Sequence, residues 1–297
     1  MTSQQPSDTD TDTDARDAAP RAYGALPWPA VSPALRGLIG HGRVFALQQT
    51  MRPEMPQWPV QPAYALTNVM SHEGSETSLR RPATGSFERI EHSGHSGTHI
   101  DALCHVGCWR GDDAYLYGDV AVRPLATEHG FRDLGAEHFP PIVARGVLFD
   151  LAALKGVERL PDLYTVTADD IRACERRQGV RVEPGSVVLL RTGFEALWEP
   201  DPMHFIANGP GPGVEAARYI AEQGCIVAGS DTANFEVTAF PDLPVHVYLL
   251  FERGIPIIEN LRLSELAATG TYEFLFVAAP IAFAGSTAGS IAPIAIA

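Results

Sequence analysis

Residues 92–105 read HSGHSGTHIDALCH and hold four of the ten histidines in this chain of 297 residues. His99 and Asp101 are two positions apart, so an extended strand would place both side chains on one face of a sheet. A turn at residues 96–97 would bring His95 back beside His99. Because imidazole and carboxylate ligands together suit zinc, manganese or iron, this spacing predicts a metal site.

The residues that follow leave the ligand set open. His105 lies four positions beyond Asp101, a spacing that allows its side chain to lie over the metal without binding it. Cys104 and Cys108 have three residues between them, which keeps a thiolate zinc site as an alternative, although no second cysteine pair supports an all-thiolate site. A lone histidine is most often a hydrogen-bonded loop residue, so it is the density of this cluster that favours a metal.

Two carboxylates far from this cluster are further candidates. Glu259 follows the apolar run IPII, and a carboxylate at the end of a buried strand is costly unless it is paired or binds a metal. Asp231 follows the apolar run CIVAGS and so lies at the carboxyl end of a predicted strand, where side chains often face an active cleft. For Asp231 we weigh a substrate-binding role against a turn or capping role.

The composition is that of an acidic globular protein. Lys and Arg number 22 against 36 Asp and Glu, which gives a formal net charge of −14, and 45% of residues are hydrophobic. Nucleic acids and anionic membranes bind basic surfaces, so we expect neither as a partner. Four cysteines are too few for a disulfide scaffold, and a chain of about 300 residues can bury roughly 75% of its unfolded surface without one.

The two ends of the chain differ in character. Residues 1–20 are rich in Asp, Ser and Thr and predict a disordered acidic tail, which lacks the apolar core of a secretory signal; we expect a cytoplasmic protein. Residues 21–297 predict a single domain. Residues 274–297 carry no charge over 24 positions, but proline and glycine interrupt them, so they predict two buried strands around a turn instead of a membrane span.

Apolar runs and glycine stops outline the elements between these ends. Runs starting at residues 146, 186, 225, 255 and 272 predict buried strands, and helices are predicted over 167–178, 213–223 and 246–253. The proline-rich stretch at 51–62 predicts an irregular loop. The glycines of NGPGPG at 208–213 lack the spacing of a phosphate-binding loop and predict a helix start.

The stretch from His95 to His105, HSGTHIDALCH, resembles the signature His-x-Gly-Thr-His-x-Asp-x-Pro-x-His of the cyclase family of metal-dependent hydrolases. That family includes bacterial kynurenine formamidases and isatin hydrolase. Leu103 stands where many members have proline. The resemblance extends through most of residues 40–297, where similar segments occur in the expected order. They are MRPEMPQWP before the signature, and after it RTG at Arg191–Gly193, AGSD ending at Asp231, and HVYLLFERGIPIIENL at His246–Leu261.

The resemblance implies an α+β domain in which a β-barrel-like mixed sheet packs with helices, assembled as a homodimer or homotetramer. It also implies one or two divalent ions per chain, zinc or manganese. The residues that the resemblance assigns to the first metal are His95, His99 and Asp101. It assigns His246 to a second metal, a bridging role to Glu259 together with Asp101, the acid/base role to His105 and the lining of the substrate pocket to Trp58.

The function implied is hydrolysis of a small molecule, an arylformamide or cyclic amide, by metal-activated water with His105 as the acid/base. Two other functions stay open at this point. One is a metal-dependent cyclase or dehydratase that acts on a polyketide-like substrate, and the other is a metal-binding protein without turnover.

Overall fold

A computed structural model describes residues 23–27, 32–40, 42–238 and 242–297. The predicted tail at residues 1–20 lies outside the described residues. The strands are β1 (Val44–Ala46), β2 (Ala65–Met70), β3 (Phe87–Glu91), β4 (His99–Asp101), β5 (Cys108–Arg110), β6 (Asp113–Leu116), β7 (Val120–Ala121), β8 (Ala126–Thr127), β9 (Gly130–Phe131), β10 (Ile142–Asp150), β11 (Thr165–Val166), β12 (Ser186–Arg191), β13 (Gly211–Pro212), β14 (Cys225–Ser230), β15 (Ile257–Glu259), β16 (Glu273–Ala278), β17 (Ala288–Ser290) and β18 (Ile294–Ile296).

Most of the helical segments are short. The α-helices are α1 (Pro33–Gly37), α2 (Val122–Leu125), α3 (Leu151–Lys155), α4 (Ala168–Gln178), α5 (Pro202–Ala207), α6 (Val214–Glu222), α7 (Pro244–His246) and α8 (Ser264–Ala267). Single 3₁₀ turns cover Glu73–Thr77, Tyr117–Asp119, Ala136–His138 and Phe194–Leu197, and a π-helical turn covers Val247–Glu252.

A mixed sheet of nine strands forms the centre of the fold, in the order β1-β18-β16-β10-β12-β14-β15-β4-β17, and it curls strongly into a half-barrel packed with helices. Strands β10, β12, β14 and β15 run parallel to one another, while the neighbours on both sides are antiparallel. This architecture confirms the predicted α+β fold with a barrel-like mixed sheet.

Each of the five apolar runs forms a strand of this sheet, namely β10, β12, β14, β15 and β16. Parallel strands are buried on both faces and therefore read as continuous apolar runs, as β12 and β14 do. The proline-rich stretch at 51–62 contains neither helix nor strand, as predicted.

Local capping explains the longer helices. Thr167 accepts a hydrogen bond from the Asp170 backbone N–H at 3.2 Å, and the Asp170 carboxylate accepts one from the Thr167 N–H at 3.0 Å. This reciprocal capping starts α4, and Gly179 ends it with φ +70°. Gly213 caps the start of α6, so the predicted helix start after NGPGPG is confirmed.

The third predicted helix differs in pitch. It begins at Pro244 instead of His246, and after one α-helical turn it widens into the π-helical turn that ends before Gly254, which has φ +62°. Such widened turns occur often at functional sites because they shift the direction of the side chains beyond them. His246 is the last residue before this change.

The C-terminal region forms three strands instead of the two predicted. Pro293 separates β17 from β18, and β17 joins the opposite edge of the sheet, beside β4. In the part of the chain that the structure describes, no helix is long and apolar enough to cross a membrane.

Candidate metal centre

Strand pairing builds the core of the histidine cluster. In the antiparallel register of β4 and β15, His99 lies opposite Glu259, although 159 residues separate them in the chain. The Nε2 atom of His99 lies 3.4 Å from Oε2 of Glu259 and 3.5 Å from Oδ1 of Asp101. His99 and Asp101 thus share one face of β4, as the spacing predicted. The pairing of β4 with β15 brings the Glu259 carboxylate to the same face.

His246 reaches the same cluster from the start of the π-helical turn. Its Nε2 atom lies 3.3 Å from Oε1 of Glu259 and 3.6 Å from Oδ2 of Asp101. His99 and His246 therefore face different oxygen atoms of both carboxylates. All four side chains are buried, with exposed fractions of 7% or less.

His95 returns to the cluster through the predicted turn. Gly97 adopts φ +62°, a conformation that glycine takes without strain, and the His99 Nδ1 atom lies 2.9 Å from the Gly97 carbonyl oxygen. The His95 Nδ1 atom lies 3.0 Å from Oδ1 of Asp101, and its Nε2 atom lies 3.0 Å from the Thr287 hydroxyl. Thr287 belongs to the turn that precedes β17.

Three buried atoms of this cluster have no hydrogen-bond partner among the described residues, and they are Nε2 of His99 and both carboxylate oxygens of Asp101. Buried polar atoms are rarely left unpaired, so a convergent group of them calls for a cation. Ligand atoms lie within 4.8 Å of one another in two groups, His95 with Asp101 and His105, and His99 with Asp101 and Glu259. The donor set of imidazole and carboxylate fits a divalent metal ion, and Asp101 belongs to both groups.

Electrostatics within the cluster favour ionised carboxylates. Burial raises the pKa of Asp101, but the surrounding imidazoles, among them His105, His246 and His95, outweigh it and hold the pKa well below its usual range. Burial likewise raises the pKa of Glu259, but the nearby rings of His246 and His99 outweigh it and lower the pKa overall. Two negative charges therefore stay in the protein interior at neutral pH.

The same interactions act on the imidazoles in the opposite sense. Burial lowers the pKa of His99, but the carboxylates of Asp101 and Glu259, 3.5 and 3.4 Å from its Nε2 atom, outweigh this and raise it to about 10. The pKa of His246 is also raised well above its usual value, since its carboxylate neighbours outweigh burial. Without a metal, protons on these rings balance the carboxylates, so a cation that binds here displaces protons.

His105 has different surroundings. Its ring centroid lies 4.2 Å from that of His95 and 6.2 Å from that of His246. Burial lowers the pKa of His105 to about 3, with the neighbouring His95 and His246 adding to this and Asp101 opposing it. His105 is thus a neutral imidazole at pH 7, able to accept a proton.

A cavity of about 150 Å³ adjoins the cluster, and His95, His105, His246 and Glu259 line it together with Trp58. The Trp58 indole N–H donates to the Ala233 carbonyl oxygen at 3.4 Å, and its ring packs against a small hydrophobic cluster that contains Met55, Phe194 and Phe205. The predicted metal ligands, His105 and Trp58 therefore come together at one site.

Asp231 is not among the described residues that line this cavity. Its Oδ1 atom accepts hydrogen bonds from the Thr192 N–H at 2.8 Å and the Thr192 hydroxyl at 2.7 Å, and its Oδ2 atom accepts one from the Gly193 N–H at 2.7 Å. Of the two roles that the sequence left open, these contacts match the turn role and give no support to substrate binding. Since Asp231 precedes the loop that contains Ala233, it supports the cavity wall indirectly.

The cysteines lie outside the cluster. Cys104 is buried beside Leu116, with its Sγ atom 3.6 Å from the Ser286 carbonyl oxygen, and Cys108 lies on β5. Within the described ranges, each group of side chains close enough to hold a metal consists of His, Asp and Glu. The geometry thus disfavours the thiolate alternative.

Glu236 was not predicted as a site residue from the sequence. This buried carboxylate accepts hydrogen bonds from the His246 backbone N–H at 2.9 Å and the His246 ring Nδ1 at 2.7 Å, and from the Val245 N–H at 2.8 Å. A signal was available, because Glu236 stands between Phe235 and Val237, and a carboxylate within an apolar run is costly unless it has partners.

Asn260 was missed as well. It adopts φ +58°, and its side-chain amide donates to the Gly97 carbonyl oxygen at 2.8 Å. This bond ties the end of β15 to the turn between His95 and His99. No local pattern in the sequence indicated it, since it depends on the pairing of distant segments.

Comparison with known proteins adds a family match. Residues 45–237 match the model of the family Cyclase, described as "Putative cyclase". This match contains His95, His99, Asp101 and His105 and ends before His246 and Glu259. None of the curated proteins matches the chain.

Solved structures share the fold. A crystal structure described as a novel cyclase is 27% identical, covers 93% of this chain and 94% of its own, and has a TM-score of 0.82. Isatin hydrolase A from Ralstonia solanacearum is 23% identical, with coverage of 90% and 97% and a TM-score of 0.66. A predicted metal-dependent hydrolase from Bacillus stearothermophilus is 22% identical, with coverage of 85% and 97% and a TM-score of 0.54. At such identities the last two indicate a common fold alone.

Proposed function

Because the chain belongs to the Cyclase family, we propose that it is a metal-dependent hydrolase that cleaves a small amide, either an arylformamide or a cyclic amide. The observation that carries this proposal is the convergence of buried His99 and Asp101 atoms that lack described hydrogen-bond partners, beside a cavity that His105 also lines. The similarity to structures described as isatin hydrolase and metal-dependent hydrolase agrees with it.

The residues that would hold one or two divalent ions are His95, His99, Asp101, His246 and Glu259. A divalent ion bound by them would lower the pKa of a coordinated water to about 7 and stabilise negative charge on the carbonyl oxygen of the substrate. Zinc and manganese both suit imidazole and carboxylate ligands. The ionised state of Asp101 and Glu259 favours either cation.

His105 supplies the acid/base step. As a neutral imidazole it accepts a proton from the attacking water, and as an imidazolium it returns that proton to the leaving nitrogen when the C–N bond breaks. A shuttle of this kind typically contributes about 10²–10⁴ to the rate. Its position on the wall of the cavity that Trp58 and several proposed ligands also line suits this role.

The cavity supports a small, flat substrate. A cavity of about 150 Å³ lined by imidazole and indole rings suits a small molecule or one ring of it. Trp58 offers the face or edge of an indole ring, and aromatic pairs add about 0.5–1.5 kcal/mol beyond their buried area. We therefore propose an aromatic amide, acylated on nitrogen or cyclised.

The cavity also argues against a metal-binding protein without turnover, since structural metal sites are closed by protein ligands and catalytic ones adjoin open space. No described contact favours cyclisation or dehydration over hydrolysis. The two reactions differ in oxygen balance, because hydrolysis adds one oxygen atom of water to the carbonyl carbon.

The test starts from protein purified without chelator, with metal content measured and N-formylkynurenine and isatin offered as substrates before and after chelation. Hydrolysis should need the metal and should incorporate ¹⁸O from labelled water into the product. Activity that survives complete metal removal, or product formed without solvent oxygen, would rule out the proposal. For substitutions of the site histidines by asparagine, the control variant is His138→Asn, because the His138 side chain is 42% exposed and lies outside the site.

A further inference from the structure

Glu236 binds one ring nitrogen of His246 and leaves the other directed at the ligand cluster. We propose that Glu236 is a positioning residue that fixes the tautomer and orientation of His246 for metal binding. This inference rests on the proposed function, because it assumes that His246 binds a metal through Nε2.

The hydrogen-bond geometry determines the tautomer. The carboxylate of Glu236 acts as an acceptor, since both of its oxygens accept backbone N–H groups, and its Oε1 atom lies 2.7 Å from Nδ1 of His246. Nδ1 must therefore carry a hydrogen, which leaves the lone pair of the neutral ring on Nε2. That atom lies 3.3 Å from Glu259 and 3.6 Å from Asp101, where the ion would bind.

Backbone contacts hold Glu236 itself in place. The two N–H groups of residues 245 and 246 donate to its two carboxylate oxygens at 2.8 and 2.9 Å. Glu236 is only 3% exposed, so these donors offset the cost of burying its charge. The carboxylate thus links the backbone at the start of the helix to the ring of the last residue before the π-helical turn.

The other two histidines have weaker partners. The ring of His99 faces a backbone carbonyl, that of Gly97, and the ring of His95 faces the hydroxyl of Thr287. A hydroxyl can donate or accept, so it allows either tautomer of His95, whereas a carboxylate allows one tautomer of His246. A carboxylate partner also makes the imidazole a stronger ligand, and loss of such a partner typically costs about 10–100-fold in metal affinity.

The test compares Glu236→Gln with Glu195→Gln. Glu195 also accepts two backbone hydrogen bonds, from the N–H groups of Leu263 and Ser264, but none of its described contacts involves a histidine ring. Both variants should lower the thermal stability of the apoprotein. Calorimetric titration with Zn²⁺ should show about 10–100-fold weaker binding for Glu236→Gln alone. Equal Zn²⁺ affinity of the two variants would overturn the inference.

A double-mutant cycle with His246→Ala checks that Glu236 acts through this ring. In the His246→Ala background, Glu236→Gln should cause no further loss of Zn²⁺ affinity at the remaining ligands. An undiminished loss in that background would contradict the inference. Should Glu236→Gln fail to fold, Glu236→Asp replaces it, with Glu195→Asp as its control, because a side chain shorter by about 1.5 Å cannot keep both the ring and the backbone bonds.

The two proposals fail in different ways. A wild-type protein that binds no Zn²⁺ or Mn²⁺ would overturn the proposed function. A wild-type protein that binds metal and hydrolyses substrate, together with a Glu236→Gln variant of unchanged affinity, would overturn only the role of Glu236.

Discussion

Asp101 presents its Oδ2 atom to His246, with 3.6 Å between that oxygen and the His246 Nε2 atom, while its Oδ1 atom faces the other two histidines of the cluster. The Asp101 carboxylate thus lies between His246 on one side and His95 and His99 on the other. Within the part of the chain that the structure describes, neither of its oxygens has a hydrogen-bond partner, although the side chain is only 1% exposed. This arrangement makes Asp101 the common member of the two ligand groups.

His105→Asn should lower kcat by about 10²–10⁴ while metal content stays at the wild-type level, because the change removes the proton acceptor and leaves the proposed ligands intact. Single-turnover kinetics and elemental analysis of the same preparation provide the measurement. Loss of metal in this variant would instead make His105 a ligand, in line with its closeness to His95 and Asp101.

Trp58→Ala should raise KM by roughly 3–10-fold for an aromatic substrate, the equivalent of one lost aromatic contact. Metal affinity should not change, since Trp58 is not one of the proposed ligands. Steady-state kinetics with N-formylkynurenine or isatin measures this effect. Trp109→Ala is the matched control, because Trp109 is 73% exposed on β5. An equal effect of both changes would argue against a role for Trp58 in the pocket.

The apoprotein should lose stability as the pH rises from about 6.5 to about 10. The pKa of His99 is raised to about 10 in the folded state, so its protonation stabilises the fold fully below the unfolded value near 6.5. That contribution disappears as the pH passes through the folded value. Thermal unfolding of chelated protein across this range measures the slope, and His99→Gln should flatten it. A His99→Gln variant with the wild-type slope would refute the assignment.

Asp231→Asn should destabilise the protein by about 1–3 kcal/mol, because an amide in place of the carboxylate leaves one of three buried donors unpaired. Urea unfolding measures this loss. Metal content and KM should remain close to the wild-type values, since Asp231 does not line the cavity. A large rise in KM with little loss of stability would restore the substrate-binding role that the sequence left open.

Local patterns predicted much of the fold. Apolar runs identified the five strands of the sheet centre, because strands buried on both faces consist almost entirely of apolar residues. Glycine and capping residues located the ends of α4 within one residue, since a helix end depends on a few neighbouring side chains. The spacing of His99 and Asp101 likewise indicated one face of a strand before any pairing was known.

Other features depend on long-range pairing and were missed or wrong. The division of the C-terminal residues into β17 and β18 follows from partners on different sides of the sheet, β4 for one and β16 for the other. The bond between Glu236 and His246 depends on the path of the loop between them. Asp231 follows a strand, as residues that face a cleft often do. Both of its carboxylate oxygens, however, accept hydrogen bonds from the backbone of Thr192 and Gly193, which are distant in the chain.

Metal titration of the chelated apoprotein tests the central claim most directly. Wild-type protein should bind one or two equivalents of Zn²⁺ or Mn²⁺ and release protons as it does so. Asp101→Asn should weaken this binding by more than the roughly 10–100-fold that loss of a ligand's hydrogen-bond partner costs, because Asp101 belongs to both ligand groups. Asp119→Asn, at an exposed position, should bind like wild type. Absence of Zn²⁺ and Mn²⁺ binding by the wild-type protein, or equal binding by Asp101→Asn, would contradict the account.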